Sequence, residues 1–341
     1  FCSLKGVKKV MSLEKYYLGI DVGSVSINLV LMDEDQRIKE KLYVRTEGKP
    51  IPILKKAIED ISKARGGNVH ISGAGVTGSG RDLAAVMVGA DVVKNEITAH
   101  GVAVLSSIPQ ARTVIEIGGQ DSKIILIRNG VVSDFAMNTV CAAGTGSFLD
   151  RQAARLNIPI EEFGKIALRS KTPVRIAGRC AVFAESDMVH KQQMGCPPED
   201  IVRGLCQALT RNYLSNVAKG KEILPKVVFQ GGVAANQGIK AAFEETLGCE
   251  VIVPEHYDVM GAVGVAILAQ RKVKASGHTL FRGLENIKQE FKAKTFECTG
   301  CPNACEIIEF MAGDTILARW GDRCGKWAVK SKDKERLRSL A

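Results

Sequence analysis

The spacing of hydrophobic residues predicts consecutive strands near the start of the chain. Residues 16–46 contain three apolar runs separated by tight turns, which is typical of a three-stranded meander. Apolar residues then recur every three or four positions over 52–65, which predicts an amphipathic helix, and a fourth strand is predicted over 68–75. This part of the chain therefore predicts a unit of three strands, a helix and another strand.

The same order of elements recurs later in the chain. Residues 112–138 again predict three strands, and Gly119 occupies the place that Gly23 has in the first unit. Helices follow, and the segment 226–236 begins with another strand. An internal repeat of this kind predicts an α/β fold of two β-β-β-α-β-α units that face each other across a cleft. The predicted lobes of this core, 16–271, comprise residues 16–95 with 254–271, and residues 96–253.

The end of the chain has a different pattern. Hydrophobic periodicity stops near residue 271, and 272–295 is predicted to be a linker with a short helix. Residues 296–327 contain four cysteines and the alternating apolar positions of a β-hairpin. The outermost segments, 1–15 and 328–341, are predicted to be a leader and a basic tail.

Composition and charge narrow the class of protein. The 341 residues carry a formal charge of +10, but only 5% are aromatic and no motif combines basic with aromatic residues, so nucleic acid is not an expected partner. No apolar stretch reaches the roughly 20 residues of a membrane span, and no signal-peptide core is present. We therefore expect a cytoplasmic protein without a membrane partner, whose ten cysteines are thiols or metal ligands.

Three glycine-containing turns predict a phosphate-binding cleft. They lie in GIDVGS, IEIGGQDS and FQGGVAAN. Glycine lets the main chain approach phosphate oxygens, to which main-chain N–H groups can donate. Asp21 and Asp121, at two of the turns, are predicted to hold a hydrated Mg²⁺ ion and to serve in catalysis. The predicted nucleotide contacts are Gly23, Ser24, Val25, Ser26, Asn28, Gly118, Gly119, Gln120, Gly231, Gly232 and Asn236.

A further glycine motif allows a different interpretation. The segment SGAGVTGSGR contains G-x-G-x-x-G, with Gly73, Gly75 and Gly78, and could be a dinucleotide fingerprint. A meander and a helix precede it, however, rather than the start of a βαβ unit. We expect this segment to join a strand to a helix beside the cleft.

Two cysteines stand directly before predicted helix starts. Cys141 lies in NTVCAAGTGSFLD and Cys180 in GRCAVFAESDMVH. A helix N-terminus favours thiolates and other anions, which suits an iron–sulfur cluster. A 4Fe-4S cluster usually takes four cysteines, so two chains related by two-fold symmetry would have to contribute a pair each. From the spacing alone, two ordinary buried thiols are the simpler interpretation.

These motifs resemble those of a known family. GIDVGSVSINLVLMD, IEIGGQDSKIILI and VVFQGGVAANQGI resemble the two phosphate motifs and the adenosine motif of the actin-like ATPase superfamily. MNTVCAAGTGSFLDRQAARL and RCAVFAESDMVH closely resemble the signatures of the ATP-dependent activators of 2-hydroxyacyl-CoA dehydratases, whose relatives serve benzoyl-CoA reductases. The resemblance runs from about Tyr17 to Gln270. It implies two ribonuclease H-like lobes, bound ATP or ADP with Mg²⁺, and one 4Fe-4S cluster held by Cys141 and Cys180 of two identical subunits.

The resemblance also implies a function. Such a homodimer is an ATPase that receives an electron from ferredoxin or flavodoxin and passes it to an iron–sulfur acyl-CoA dehydratase or reductase. Gly144, Thr145 and Gly146 would then meet phosphates next to the cysteine, and Glu96 would lie either near the cleft or at the surface. The alternatives are a small-molecule kinase of the same superfamily, which would leave the cysteine pair unexplained, and a non-redox ATP-dependent regulator.

The C-terminal cysteines form a second candidate site. The segments CEIIEF and TILARW predict hairpin arms, which would return Cys324 to the neighbourhood of Cys305, while Cys298 and Cys301 precede the hairpin. Four thiolates in this arrangement could hold a structural Zn²⁺ ion or a second 4Fe-4S cluster. Four free thiols are the alternative. Activators of the resembled kind do not need this segment, which leaves the identity of the partner open.

Overall fold

The computed structural model describes residues 14–65, 69–138 and 141–327. The predicted basic tail, and the predicted leader up to residue 13, lie outside these ranges. Within them, no helix is both long enough and apolar enough to cross a membrane.

The first lobe is built on a mixed five-stranded sheet in the order β3-β2-β1-β4-β5. The strands are β1 (Lys15–Val22), β2 (Ser26–Met32), β3 (Ile38–Arg45), β4 (His70–Thr77) and β5 (Val92–Val93). The first three pair antiparallel, whereas β4 runs parallel to β1 and β5 runs parallel to β4. Helices α1 (Pro50–Lys63) and α2 (Arg81–Val88) connect the strands. Nearly every residue of β1 is buried because helices cover both faces of the sheet at its centre.

The second lobe repeats this topology. Its sheet has the order β10-β9-β6-β7-β8, which matches the first when each strand is exchanged for its counterpart. The strands are β6 (Thr113–Ile117), β7 (Ser122–Arg128), β8 (Val131–Asn138), β9 (Val227–Gln230) and β10 (Val251–Ile252). The helices are α4 (Gly146–Leu156), α5 (Ile160–Ala167), α6 (Ala181–Gln193), α7 (Pro198–Asn216) and α8 (Gln237–Leu247). The two-lobe α/β prediction is confirmed.

Two helices pack against each other between the sheets. α3 (Glu96–Ser107) covers the second sheet and α9 (Met260–Ser276) covers the first. A Cβ atom added to Gly264 of α9 would lie 1.9 Å from the carbonyl oxygen of Ala99 in α3, so the two backbones are in direct contact. The lobes therefore meet along a glycine-lined helix pair.

The same packing explains part of the G-x-G-x-x-G segment. Gly73 and Gly75 lie inside β4, and a Cβ on Gly75 would lie 2.1 Å from the carbonyl oxygen of Val265 in α9. These glycines let a helix rest on the sheet, and the loop after β4 leads into α2 and places Ser79 at the cleft. The expected connection of a strand to a helix beside the cleft is present.

The segment after α9 is fixed to the first lobe. α9 continues to Ser276, past the predicted end at residue 271. Beyond it, the Leu280 N–H donates to Asp91 at 2.6 Å and the Arg282 N–H donates to the Val88 carbonyl at 2.9 Å. This part of the predicted linker is therefore anchored to the end of α2, because main-chain groups there find hydrogen-bond partners.

A three-stranded antiparallel sheet follows, which we call the C-terminal sheet. After the short helix α10 (Leu284–Ile287), it comprises β11 (Phe291–Glu297), β12 (Glu306–Ala312) and β13 (Thr315–Trp320). The last two are the expected hairpin arms, and β11 is a third strand within and beyond the predicted linker. Most side chains of β11 are exposed. Phe310 is fully buried in the core of the first lobe.

Candidate functional site

A cleft opens between the lobes, at the carboxyl ends of the central strands. The first hairpin turn (residues 23–25, between β1 and β2) and the second hairpin turn (residues 118–121, between β6 and β7) approach it from opposite lobes. The cleft brings together most of the residues predicted from the sequence, namely Asp21, Gly23, Ser24, Val25, Ser26, Asn28, Gly118, Gly119, Gln120, Asp121, Gly231 and Gly232.

The two turns touch across the cleft. A Cβ added to Gly119 would lie 3.2 Å from the Val25 side chain, so a larger residue in the second turn would require Val25 to shift. The first turn is braced by a hydrogen bond from the Gly23 N–H to the Ser26 carbonyl at 2.9 Å and by one from the Thr46 N–H to the Val25 carbonyl at 2.9 Å. Both lobes thus present main chain, rather than bulky side chains, to a ligand in the cleft.

Four predicted contact residues do not line the cleft. Gly144 and Thr145 are buried behind the second turn, and the Gly146 N–H donates to the Gly118 carbonyl at 2.8 Å. Asn236 is also buried, where its Oδ1 caps α8 by accepting from the Ile239 N–H at 3.1 Å. A direct phosphate contact by any of these four residues remains a prediction.

A buried lysine holds three carboxylates at the cleft. Lys123 Nζ lies 2.8 Å from Glu96 Oε2, 3.1 Å from Glu116 Oε2 and 2.8 Å from Asp121 Oδ2, with a side chain that is 3% exposed. Burial alone would lower the pKa of Lys123, but these neighbours raise it above its ordinary value. Lys123 is therefore a permanent cation, and Glu96 belongs to the cleft rather than to the surface.

Two carboxyl groups in the cleft, Asp21 and the Lys123 partner Glu116, have raised pKa values. Burial, reinforced by the charge of Glu96, raises the pKa of Asp21 to about 7. Burial likewise raises the pKa of Glu116 to about 7, although Lys123 opposes the effect. Negative charge in this cleft thus exceeds what its lysine compensates.

The donor set fits a nucleotide with a divalent cation. Asp21 is enclosed by glycines, since a Cβ on Gly261 would lie 2.1 Å from its Oδ2 and a Cβ on Gly78 would lie 2.6 Å from its Oδ1. The Oδ1 atom of Asn28 is buried and has no hydrogen-bond partner among the described residues. A carboxylate that lacks a counter-cation, next to an unpaired polar atom, suits Mg²⁺ and a polar ligand.

The sequence analysis did not identify Lys123 and Glu116, although the sequence around each contains a recognisable signal. Both are charged residues inside otherwise apolar strands, in the segments SKIILI and VIEI. Charged residues are almost never fully buried unless they are paired. Their strand positions are thus a usable signal for an ion pair inside the fold.

The segment after Cys141 is attached to the second hairpin turn. Cys141 is partly exposed and directly precedes a 3₁₀ turn, and α4 begins at Gly146. The Gly146 N–H donates to the Gly118 carbonyl at 2.8 Å, and the Ser147 N–H donates to the Gly119 carbonyl at 2.9 Å. The start of α4 and the turn that faces the cleft are therefore parts of one hydrogen-bonded structure.

Cys180 is the residue before α6 and is also partly exposed. Two contacts that the sequence did not predict connect its surroundings with those of Cys141. Asn212 of α7 donates to the Gly178 carbonyl at 2.6 Å, while its Oδ1 lies 2.8 Å from where a Cβ on Gly144 would be. This close approach is a structural reason for glycine at position 144.

An acidic residue joins the two helices that follow the cysteines. Glu185 of α6 lies 2.6 Å from Arg155 and 3.2 Å from Arg151, both on α4. The Glu185 side chain is 18% exposed, whereas those of Arg155 and Arg151 are 50% and 74% exposed, so the arginines reach it from the surface. α4 and α6 are thus linked to each other by charge.

The four C-terminal cysteines lie at one end of the C-terminal sheet. Cys298 follows β11 and Cys305 precedes β12, and the Cys298 N–H donates to the Cys305 carbonyl at 2.8 Å. Cys301 and Cys324 are exposed. Over the described ranges, no three His, Cys, Asp or Glu side chains are already arranged around a metal position.

Residues 18–269 match the BadF/BadG/BcrA/BcrD ATPase family. The chain belongs to this family. The match covers both lobes and ends before the C-terminal sheet.

Curated relatives of this ATPase family are similar over the same part of the chain. The (R)-2-hydroxyglutaryl-CoA dehydratase activating ATPase of Acidaminococcus fermentans is 32% identical over 257 residues, which are 75% of this chain and 98% of that protein. The 2-hydroxyisocaproyl-CoA dehydratase activator of Clostridioides difficile is 35% identical over 280 residues, covering 76% of this chain and 97% of that protein. The family resemblance is therefore confirmed.

A solved structure agrees with the two-lobe architecture. The activator of the 2-hydroxyisocaproyl-CoA dehydratase from Clostridium difficile, solved with bound ADPNP, superposes with a TM-score of 0.70 at 32% identity. The match covers 77% of this chain and 97% of that one. The two lobes of this BadF/BadG/BcrA/BcrD-type ATPase thus have the fold of an activator.

Proposed function

We propose that this protein is an ATP-hydrolysing activator that delivers a low-potential electron to an iron–sulfur acyl-CoA dehydratase or reductase. Its working form would be a homodimer that holds one 4Fe-4S cluster. Membership of an ATPase family, and similarity to proteins named as activators of 2-hydroxyacyl-CoA dehydratases, support the proposal.

The observation that carries the proposal is the direct link between cleft and cysteine. Main-chain hydrogen bonds from Gly146 and Ser147 join the segment after Cys141 to the second hairpin turn. ATP and ADP differ in the phosphate that this turn would face. A nucleotide can drive a change only by binding two conformations unequally. A displacement of the turn on hydrolysis would be transmitted directly to the start of α4.

The second cysteine is connected to the same unit. Glu185 binds the arginines of α4 from its place on α6, five residues after Cys180. Asn212 contacts the chain before Cys180 and packs against Gly144. The two thiols would therefore respond to the nucleotide together, because Glu185 connects the helices that follow them and Asn212 connects the segments beside them.

The thiols fit half of a cluster site. Cys141 and Cys180 are partly exposed at helix starts, where thiolates are favoured. One chain offers two ligands and a 4Fe-4S cluster usually takes four, so a second copy would supply the others. Val182 and Phe183, which follow Cys180, are 69% and 67% exposed and would suit burial against that copy. When bound, the cluster would accept and release single electrons, with a ferredoxin or flavodoxin as donor.

The cleft residues would act on the nucleotide. Asp21 would hold Mg²⁺ through its waters, and Asp121 would orient the attacking water. Lys123 Nζ holds Asp121 Oδ2 in place at 2.8 Å. The glycine turns would bind the phosphates through main-chain N–H groups. A relative of the same fold was solved with bound ADPNP, which supports a nucleotide ligand.

Purification without oxygen, followed by iron, sulfide and mass measurements, tests the proposal. We expect a brown dimer with four irons per dimer attributable to this site, and ATP-dependent reduction of an acyl-CoA dehydratase or reductase. Cys141→Ala and Cys180→Ala should lose this iron and the electron transfer, while Cys249→Ala, a partly exposed thiol elsewhere, should keep both. The proposal would be overturned if the protein were a monomer whose two lobes bind no iron. It would also be overturned if the protein transferred the γ-phosphate of ATP to a small molecule.

A second variant tests the link between helices. Glu185→Gln should retain the cluster and most ATP hydrolysis, because Glu185 does not line the cleft. It should transfer fewer electrons for each ATP hydrolysed, since α4 and α6 lose their ionic connection. Glu161→Gln, on the exposed start of α5, is the matched control. Unchanged electron yield in Glu185→Gln would show that this ion pair does not contribute to coupling.

A further inference from the structure

The C-terminal sheet contains a feature that the ATPase lobes do not need. Its cysteines lie outside the matched family region, 18–269. The sheet is small, with Ile307 and Phe310 as its fully buried apolar side chains. Both lie in β12, whereas the cysteine-bearing loops lie beyond the ends of the strands. The strands share the core of the first lobe, whereas the cysteine-bearing loops gain little from it, and such loops are commonly held by a disulfide or a metal ion.

Strand pairing places two of the cysteines side by side. The ladder between β11 and β12 ends with Glu297 opposite Glu306. Cys298 and Cys305 are the next pair, joined by the hydrogen bond from the Cys298 N–H to the Cys305 carbonyl at 2.8 Å. Residues directly opposite each other in an antiparallel pair direct their side chains to the same face, with Cβ atoms about 5 Å apart. The two thiols therefore share one face at the end of the sheet.

The loop between β11 and β12 curves around the sulfur of Cys298. The Gly300 N–H, two residues after Cys298, points at Cys298 Sγ at 3.4 Å. The loop then turns back through Cys301, whose carbonyl accepts from the Ala304 N–H at 3.2 Å. Cys301 is exposed, so its side chain can rotate without breaking any packing.

The chain after β13 returns to the same place. A Cβ on Gly321 would lie 2.2 Å from the Glu306 carbonyl oxygen, so this segment crosses directly over the start of β12. The Trp327 N–H donates to Asp322 Oδ2 at 3.0 Å, which closes a turn around Cys324. Trp327 Nε1 also donates to Cys298 Sγ at 3.2 Å. The fourth cysteine thus lies in a turn that is bonded to the first.

The surroundings of Cys298 direct hydrogen-bond donors and a positive charge at its sulfur. A neutral thiol is a weak acceptor, yet two N–H groups, of Gly300 and Trp327, point at this sulfur. Lys326 Nζ lies 2.9 Å from where a Cβ on Gly300 would be, so a positive charge stands beside the same loop. Thiolates, rather than thiols, are the metal-binding form.

We propose that Cys298, Cys301, Cys305 and Cys324 bind one structural Zn²⁺ ion, which fastens the loops of the C-terminal sheet. Four thiolates in a local C-x₂-C-x₃-C arrangement, completed by a cysteine from a returning turn, match the closed tetrahedral sites of structural zinc. Binding draws the exposed Cys301 and Cys324 side chains towards the paired Cys298 and Cys305. It displaces thiol protons and involves no change of oxidation state. The site is independent of the proposed electron-transfer function.

Elemental analysis of the full-length chain tests this proposal. We expect one zinc per chain in protein from zinc-supplemented cells, a value that falls at least tenfold in Cys298→Ser and Cys324→Ser. Cys324 is exposed, so its serine variant should fold, and Cys324→His should restore zinc because imidazole is also a zinc ligand. Cys249→Ser is the control and should keep its zinc.

The outcomes separate this site from the cluster of the proposed function. Zinc that persists in Cys141→Ala, and iron that persists in Cys324→Ser, would support two separate sites. If the serine variants of the C-terminal sheet lost iron, the zinc proposal would be wrong and these four cysteines would instead bind an iron–sulfur cluster. A Cys298–Cys301 disulfide in alkylated, anaerobically purified protein, or no zinc in the parent chain, would overturn the metal site altogether.

Discussion

At the scale of single residues, the cleft is dominated by charge that is costly to bury. Lys123 compensates Glu96, Glu116 and Asp121, but no described cation lies on Asp21. The protein therefore keeps an unfavourable carboxyl group where a cation is to bind. Buried groups of this kind reduce stability in exchange for function.

Asp21→Asn should stabilise the nucleotide-free protein while it abolishes Mg²⁺-dependent ATP hydrolysis. With a folded pKa of about 7 and an ordinary value of 3.8, the folded chain keeps a proton that the unfolded chain releases. The free energy of unfolding of the parent therefore falls as pH rises from about 4 to 7. The variant should lack this fall and gain on the order of 2–4 kcal/mol at pH 8, and almost nothing at pH 4.

Urea titrations at pH 4, 6 and 8 measure this effect. The exposed Asp35 provides a control, because Asp35→Asn should leave the pH dependence unchanged. A gain from Asp21→Asn that is the same at every pH would argue against a buried ionisation as its cause.

Lys123→Met should destabilise the protein by about 3–5 kcal/mol at pH 8, since it leaves carboxylates buried without their cation. The loss should be smaller at pH 5, where Asp21 and Glu116 hold protons. Chemical denaturation at the two pH values provides the measurement. Lys41→Met, which removes an exposed pair with Asp258, should cost at most about 1 kcal/mol. Equal losses at both pH values would contradict the explanation from charge.

A site residue could be predicted where a local sequence motif marks it, and not where only the fold brings it to the site. The glycine turns could be predicted, because a missing side chain at Gly119 or Gly231 is itself the requirement for a close approach. The partners of Lys123 come from α3, β6 and the second turn, and only the fold brings them together. Gly144 matched a motif, but its immediate neighbour in the structure is Asn212.

At the scale of secondary-structure elements, the contact between α3 and α9 sets the position of the lobes. Both helices carry glycines where their backbones or the sheets come close. The two helices also bear the residues at the back of the cleft, including Glu96 and Gly261. Their packing therefore fixes the geometry of the site.

Gly264→Ala should destabilise the protein, even though alanine favours a helix by about 1 kcal/mol. Its Cβ would lie 1.9 Å from the Ala99 carbonyl oxygen, and neither backbone can yield without moving a lobe. We expect a net loss of about 1–3 kcal/mol in urea denaturation. Gly101→Ala on α3 is the comparison, because its Cβ would lie 2.6 Å from a side-chain methyl group of Val132 rather than from a backbone atom, so we expect a smaller loss. Equal effects of the two substitutions would show that α3 and α9 are not tightly constrained.

The strands were predictable where apolar residues alternate or cluster, and α4 and α6 begin after Cys141 and Cys180 as expected. β11 was not predicted, because its side chains are mostly exposed and lysines occupy two of its seven positions. The end of α9 was misplaced because its last turn is polar and lies beyond the buried part of the helix. Hydrophobic periodicity detects burial, so elements at the surface escape it.

At the scale of the whole molecule, the C-terminal sheet extends the core of the first lobe. Phe310 stacks on Phe291 at 5.6 Å and packs into the same cluster as α1, α2 and the first sheet. Ile287 of α10 is buried there too. The repeat of strands predicted the two lobes, but nothing in the sequence of the hairpin indicated which lobe it would join.

Phe310→Ala should therefore destabilise the first lobe itself, by about 3–5 kcal/mol. Calorimetry should show that the unfolding transition of this lobe shifts as a whole. Phe135→Ala, at a side chain that is 50% exposed, should change the free energy of unfolding by no more than about 0.5 kcal/mol. A separate early transition, with the rest of the curve unmoved, would mean that the C-terminal sheet folds independently.

The link between the nucleotide cleft and the first cysteine consists of main-chain amides. The Gly146 and Ser147 N–H groups donate to main-chain carbonyls, so neither bond depends on the identity of a side chain. Substitutions on the exposed surface of α4 would leave these bonds intact, whereas a Cβ on Gly146 would lie 3.0 Å from the Gly118 carbonyl oxygen. Proline at position 146 or 147, or an amide-to-ester replacement, removes such a donor. The proposed coupling would therefore survive most side-chain substitutions on α4, because it would run through the main chain.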